Sequence, residues 1–206
     1  MIKIFKKKKI KLFIQIGSSA EYGDLKSPHI ESRIGKVKDV YGKAKLLSTK
    51  YLYKKKIPFV ILRLYQLYGS HQNDDRLIPF VINSCLKNLK FPCSKGKQFR
   101  DFLHIDAFLR AINLIISSKN INGQIFNLGS GKPIKLKKLI FKINQMIKKG
   151  QPQYGKIKMR TNEQNIVYPS IKKIKKHISW TPKININKGI KKTIFYFKKN
   201  KKKSLN

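Results

Sequence analysis

Residues 12–23 read LFIQIGSSAEYG. Leu12 to Ile16 form a short, nearly all-apolar run ending in a Gly-Ser-Ser turn, which is how a buried parallel strand reads. Residues 24–34 are polar, contain Pro28 and read as a loop; from about Val40 to Lys54, Ala44, Leu47, Tyr51 and Leu52 then recur at helical spacing. Pro58 opens a second apolar run, PFVILRL at 58–64. Strand, helix, strand in that order is a parallel βαβ unit, and it sets the fold class as α/β.

Further along, YGSHQNDDR at 68–76 reads as a loop and Leu77 to Leu89 as a helix. QFRDFLHI at 98–105 looks extended, and Asp106 is placed to cap a helix with Ala107, Ala111, Leu114 and Ile115 on one face. IFNLGSGKP at 125–133 is a strand and a tight turn, followed by an amphipathic helix carrying Leu136, Leu139, Ile140, Ile143 and Ile147. The last third, with Trp180 and Pro182, reads as a smaller α/β segment fraying after about Phe197. There is no internal repeat.

The 206 residues suffice for one domain with a real core and at most two small ones. Lys+Arg 48 against Asp+Glu 9 gives a net charge of +39, an excess that suggests a phosphate-bearing partner. The lysines, however, are scattered between Ile- and Asn-rich stretches as a default surface residue. No RNA-binding aromatic signature, Cys/His finger or basic heptad accompanies them, so a nucleic-acid partner is not the expectation. Cys85 and Cys93 form no CxxC or CxxH pattern; neither a metal site nor a disulfide framework is indicated, and a reducing cytoplasm fits. The start, MIKIFKKKKIKLFIQIGSSA, imitates a signal peptide, but its apolar part is too short and contains Gln15. No uncharged apolar stretch approaches the ~18 residues of a spanning helix, so a soluble protein without a membrane partner is expected.

Tyr41 and Lys45, in YGKAK at 41–45, lie four apart and share a helix face. A tyrosine titrates near ~10, too high for a base at neutral pH, and a fixed ammonium nearby lowers that value. A serine hydroxyl at the adjacent strand end could bond both the phenolate and a substrate oxygen. Such a trio suits removal of a proton from a sugar hydroxyl while a hydride leaves its carbon. In isolation the pair is a weak signal and reads more readily as a packed tyrosine and a solvated lysine.

GSSAEYG, YGKAK, LRLYQLYG, RDFLHID and FNLGSG, in this order and spacing, resemble the extended short-chain dehydrogenase/reductase family of NAD(P)-dependent nucleotide-sugar epimerases, 4,6-dehydratases and 4-keto-sugar reductases. The resemblance runs from about Leu12 to Thr193. It implies a partial Rossmann-like parallel sheet with a smaller α/β substrate-binding region, interleaved at about 66–110 and 150–197 of a single domain 1–197, and a basic tail at 198–206. It implies NAD or NADP as cofactor, a nucleotide-diphosphate sugar as substrate, and a homodimer through the Tyr41 helix. Residue by residue, it places Ser18, Tyr41 and Lys45 as the catalytic and cofactor-contacting trio, with Tyr41 the acid/base and Lys45 on the nicotinamide ribose. Ser19, Tyr22, Gln66, Arg100, Arg160 and Glu163 would contact substrate, Gln66 standing where the family usually has Asn. Arg100 suits a diphosphate because its planar fork donates two bonds at once, although it could instead pair with Asp101 or Asp106. His104 reads as support for a strand end.

The family's 4,6-dehydratases carry an acid two residues after the catalytic Ser/Thr. That position here is Ala20, and Glu21 one residue later would point to the other side of a continuing strand. The expectation is an epimerase or 4-keto reductase in surface-polysaccharide sugar synthesis. The resemblance also implies an amino-terminal Gly-x-x-Gly-x-x-Gly turn for the dinucleotide, since only glycine lets backbone approach the pyrophosphate there. No such turn is present; Gly129-Ser130-Gly131 comes too late and continues into Lys132-Pro133. The expectation is a fragment, one half of a split enzyme awaiting a separate cofactor-binding half, or a misplaced start. An inactive nucleotide-sugar-binding remnant is the alternative.

Overall fold

The computed structural model describes residues 10–55, 57–159 and 163–203. Strand β1 (Phe13–Ser18) runs into a 3-10 turn at Ser19–Tyr22, and helix α1 (Val40–Tyr53) returns the chain to β2 (Phe59–Leu64). A short β3 (Gln66–Tyr68), α2 (Leu77–Leu86) and β4 (Lys90–Cys93) lead to β5 (Phe99–Arg100), β6 (Phe102–His104) and α3 (Ile105–Ser117). Then come β7 (Gln124–Leu128), β8 (Ile134–Lys135), α4 (Leu136–Ile147), β9 (Gln151–Tyr154), β10 (Ile166–Val167), α5 (Lys172–Ile178) and α6 (Ile186–Lys203). The last helix continues through the region where fraying was expected.

The main sheet has the order β1-β2-β7, all parallel. Strand β2 is central and buried because its apolar residues serve two faces. Val60 and Leu62 join Phe126, Leu128 and the Ala107, Ala111, Ile115 stripe of α3 in one core. Phe59 and Ile61 meet Leu52 of α1 and Ile57 on the other face. A third core lies among α2, α4, α6 and β4. Three smaller sheets, β10-β5-β8, β3-β6 and β4-β9, carry the loops near the strand ends.

The expected burial of Leu12–Ile16 needs correction. Among the described residues β1 pairs only with β2, and Ile16 is 40% exposed. The stripe read from α1 is likewise uncovered, with Leu47 65% and Tyr51 45% exposed, and only Leu52 reaches the core. Residues 24–34 form a loop as read, and two of its polar residues, His29 and Glu31, are buried. At α3 the cap is His104, whose Nδ1 accepts the Asp106 amide at 3.2 Å, while Asp106 sits in the first turn. No helix among the described residues is long and apolar enough to cross a membrane.

Candidate active site

Parallel strands end on one side of their sheet, and side chains at the carboxyl ends of β1 and β2 share a crevice. A cleft of about 750 Å³ opens there, lined by Ser18, Tyr41, Gln66, Arg100 and Glu163 together with Tyr65 and the loop at 71–76. A second cleft of about 750 Å³ adjoins it across Gln66, Arg100 and Glu163, which line both, and is bounded by Ser19, Ala20 and Lys36.

Ser18 ends β1 and opens the 3-10 turn. Its Oγ accepts the Ala20 amide at 3.1 Å and its own amide donates to Glu21 Oε1 at 2.9 Å, a reciprocal cap that fixes the serine. The hydroxyl proton is left for another acceptor. Tyr41 lies in the first turn of α1 and is 57% exposed. Lys45, one helical turn later, holds its Nζ 5.8 Å from the Tyr41 ring centre and donates to the Ile16 carbonyl at 2.9 Å, which pins α1 to β1. Gly42 permits this approach: a Cβ there would meet the Ala20 carbonyl oxygen at 2.6 Å. Asp39 caps the helix by accepting the Gly42 amide at 2.7 Å.

Glu21 is fully buried. One oxygen takes the Ser18 amide; the other accepts Thr49 Oγ1 of α1 at 2.8 Å and Arg63 Nε of β2 at 3.0 Å. It faces inward because the chain coils into a 3-10 turn after Ser18 instead of continuing as a strand. Its Ser-x-x-Glu spacing is a capping-box signal legible in the sequence. Tyr22 is also fully buried and lines neither cleft. Its hydroxyl donates to Asn127 Oδ1 at 2.6 Å, and burial pushes the phenol up to about 12 against the opposing pull of Arg63.

Arg100 pairs with neither Asp101 nor Asp106. Its Nη2 donates to Glu163 Oε1 at 2.6 Å and its Nη1 to the Phe99 carbonyl at 2.8 Å, while Gln98 donates to the other Glu163 oxygen at 2.9 Å. Asp101 faces the opposite way, as alternation along an extended chain demands. It accepts the amides of Ser130 and Lys132 and the Ser130 hydroxyl. The Gly129-Ser130-Gly131 turn therefore spends its amides inside the protein. Arg160 lies outside the described residues. Arg76, Gln72 and Asn73, also in the first cleft, were not singled out from the sequence; their place in a loop directly following a strand end was the available signal.

Of the expected trio, Ser18 and Tyr41 line the first cleft, while Lys45 lies behind Tyr41 with its Nζ on the Ile16 carbonyl. The described residues offer no glycine turn for a dinucleotide's pyrophosphate, the one late Gly-x-Gly being occupied by Asp101.

Residues 1–129 match the model of the NAD dependent epimerase/dehydratase family. The chain is 31% identical over 163 residues to a UDP-glucuronate 4-epimerase of Thermodesulfobacterium geofontis, covering 76% of this chain and 48% of that protein. It is 28% identical over 142 residues to the CDP-abequose synthase of Salmonella muenchen, covering 66% and 47%. The crystal structure of UDP-glucuronic acid 4-epimerase from Bacillus cereus, in complex with UDP-glucuronic acid and NAD, superposes with a TM-score of 0.88 at 25% identity, over 97% of this chain and 65% of that one. The chain spans about half the length of the curated relatives it matches.

Proposed function

The chain belongs to the NAD-dependent epimerase/dehydratase family, and from that premise we propose that its first cleft binds a nucleotide-diphosphate sugar for hydride transfer at a ring carbon. The reaction is a 4-epimerisation or a 4-keto reduction serving surface-polysaccharide synthesis. The observation that carries this reading is the convergence of Ser18, Tyr41, Gln66, Arg100 and Glu163 on one cleft from five separate segments.

Tyr41 Oη takes the proton from the sugar hydroxyl and returns it. Lys45 stabilises the phenolate and holds the ribose of the cofactor, and Ser18 donates its free hydroxyl proton to the reacting oxygen. Arg100 binds the diphosphate, with Glu163 and Arg160 on the nucleotide. NAD or NADP, when bound, supplies the hydride acceptor. Its pyrophosphate is held by a separate cofactor-binding half, and the exposed face of α1 suits a homodimer. Dehydration is disfavoured, because Ala20 has no proton to move and Glu21 is committed to Arg63. Buried free Cys85 and Cys93 suit the cytoplasm.

The test is Tyr41→Phe in the protein supplied with its cofactor half. Turnover is expected to fall by at least about 100-fold while UDP-glucose affinity is kept; undiminished turnover would remove Tyr41 as acid/base. UDP-glucose binding without any cofactor-dependent change in the wild type would favour the alternative of an inactive binding fragment.

A further inference from the structure

Glu163 is the only acidic residue after Asp106, and Arg100 and Gln98 occupy its carboxylate. The helices α4, α5 and α6 therefore carry lysine charge with no acid of their own. On α6, Ile190, Thr193 and Ile194 are buried, and the outward side presents Lys188, Lys191, Phe195, Lys198 and Lys199, with Phe195 69% exposed. The pattern recurs on α4: Leu139, Ile140 and Ile143 are buried, while Phe141, 56% exposed, stands between Lys138 and Lys142. Lys142 Nζ donates to Asn187 Oδ1 at 3.1 Å and joins the two helices.

A phenylalanine exposed amid lysines, on a helix that buries Ile190 and Ile194, suits an apolar layer beneath an anionic one. We propose that α6, continued by α4, is a docking face for an anionic lipid bilayer, with Phe195 entering the acyl boundary and the lysines meeting the headgroups. A nucleic acid fits less well. Arg110 is the last arginine among the described residues, so the face lacks the guanidinium planes that stack on and read bases. Contact is peripheral, on the side of α6 that faces away from the first cleft's His71.

The experiment is sedimentation of the protein with phosphatidylcholine vesicles, with and without phosphatidylserine, at physiological salt. Binding is expected only with phosphatidylserine. Lys191→Glu with Lys199→Glu should weaken it at least about tenfold, and Phe195→Ser about tenfold. The equal charge change Lys50→Glu with Lys54→Glu, on α1, should alter it less than about twofold. All these positions are exposed, so the variants fold, and thermal midpoints check that. No binding to phosphatidylserine vesicles, or equal losses for the α6 and α1 pairs, overturns the proposal. Loss of single-stranded RNA binding by the α6 variants with vesicle binding intact also overturns it.

Discussion

Between Glu21–Arg63 and Glu163–Arg100 the chemistry is identical and the surroundings differ. The first pair, at 3.0 Å, has side chains 0% and 1% exposed; the second, at 2.6 Å, has 25% and 11% and lies where the two clefts meet. Glu21 has its oxygens filled by donors from three elements, the Ser18 turn, α1 and β2. It ties the serine of the cleft to the helix that carries Tyr41. Arg100 and Glu163 instead line both clefts. Water and solutes reach one pair and not the other, and that separates a structural ion pair from one open to exchange.

Breaking the buried pair should produce the largest effect. Arg63→Met strands the Glu21 carboxylate without its cation and is expected to cost about 3–5 kcal/mol, read as a fall in urea midpoint. A loss below about 1 kcal/mol would place Glu21–Arg63 in the same class as the cleft pair. Arg100→Gln comes next: UDP affinity, measured by calorimetry, should drop about 10- to 100-fold while stability changes by about 1 kcal/mol or less. Unchanged UDP affinity would take Arg100 out of the diphosphate site.

The smallest effect sharpens the contrast through pH. His29 packs on Tyr22 within the buried network, with ring centres 4.5 Å apart. Its Nε2 faces the Leu25 carbonyl at 3.0 Å, so that nitrogen carries the proton and Nδ1 accepts from the Tyr65 hydroxyl at 2.9 Å. Burial lowers its pKa from 6.5. The unfolded chain then binds the proton first, and stability present above pH 6.5 is lost as pH falls toward the folded-state value. His104 acts with the same sign, and the raised carboxyl of Asp101 acts against both. Each histidine contributes a slope of at most about 1.4 kcal/mol per pH unit. His29→Asn should flatten the stability profile on the acid side of neutrality; an unaltered slope would mean His29 does not titrate with unfolding.

The βαβ unit was legible because each element announces itself locally: apolar runs at 12–16 and 58–64, helical spacing between them, Pro and Gly at the joints. The motif order was legible in the same way, and it led to the family that the comparison found. Tyr22 and Tyr41 show where that legibility stops. Both tyrosines are followed directly by glycine, yet one is fully buried and the other 57% exposed. The Tyr-Gly pair itself does not set the burial; the contacts of Tyr22 with Asn127 and His29, far along the chain or across a loop, do. The partner of Arg100 was missed for a related reason: Glu163 comes alongside only because β10 pairs with β5.

The sequence by itself determined the α/β class, the strand ends where a site could form, and the residue types able to move a proton or bind a phosphate. Periodicity and turn chemistry act over a few residues, and they suffice for that. The tertiary structure decided which acid neutralises which arginine, which tyrosine sees water, and which face of α1 stays open. Those outcomes depend on sheet register and on burial between segments far apart in the chain, where removing a charge or hydroxyl from water costs more than any local preference can offset.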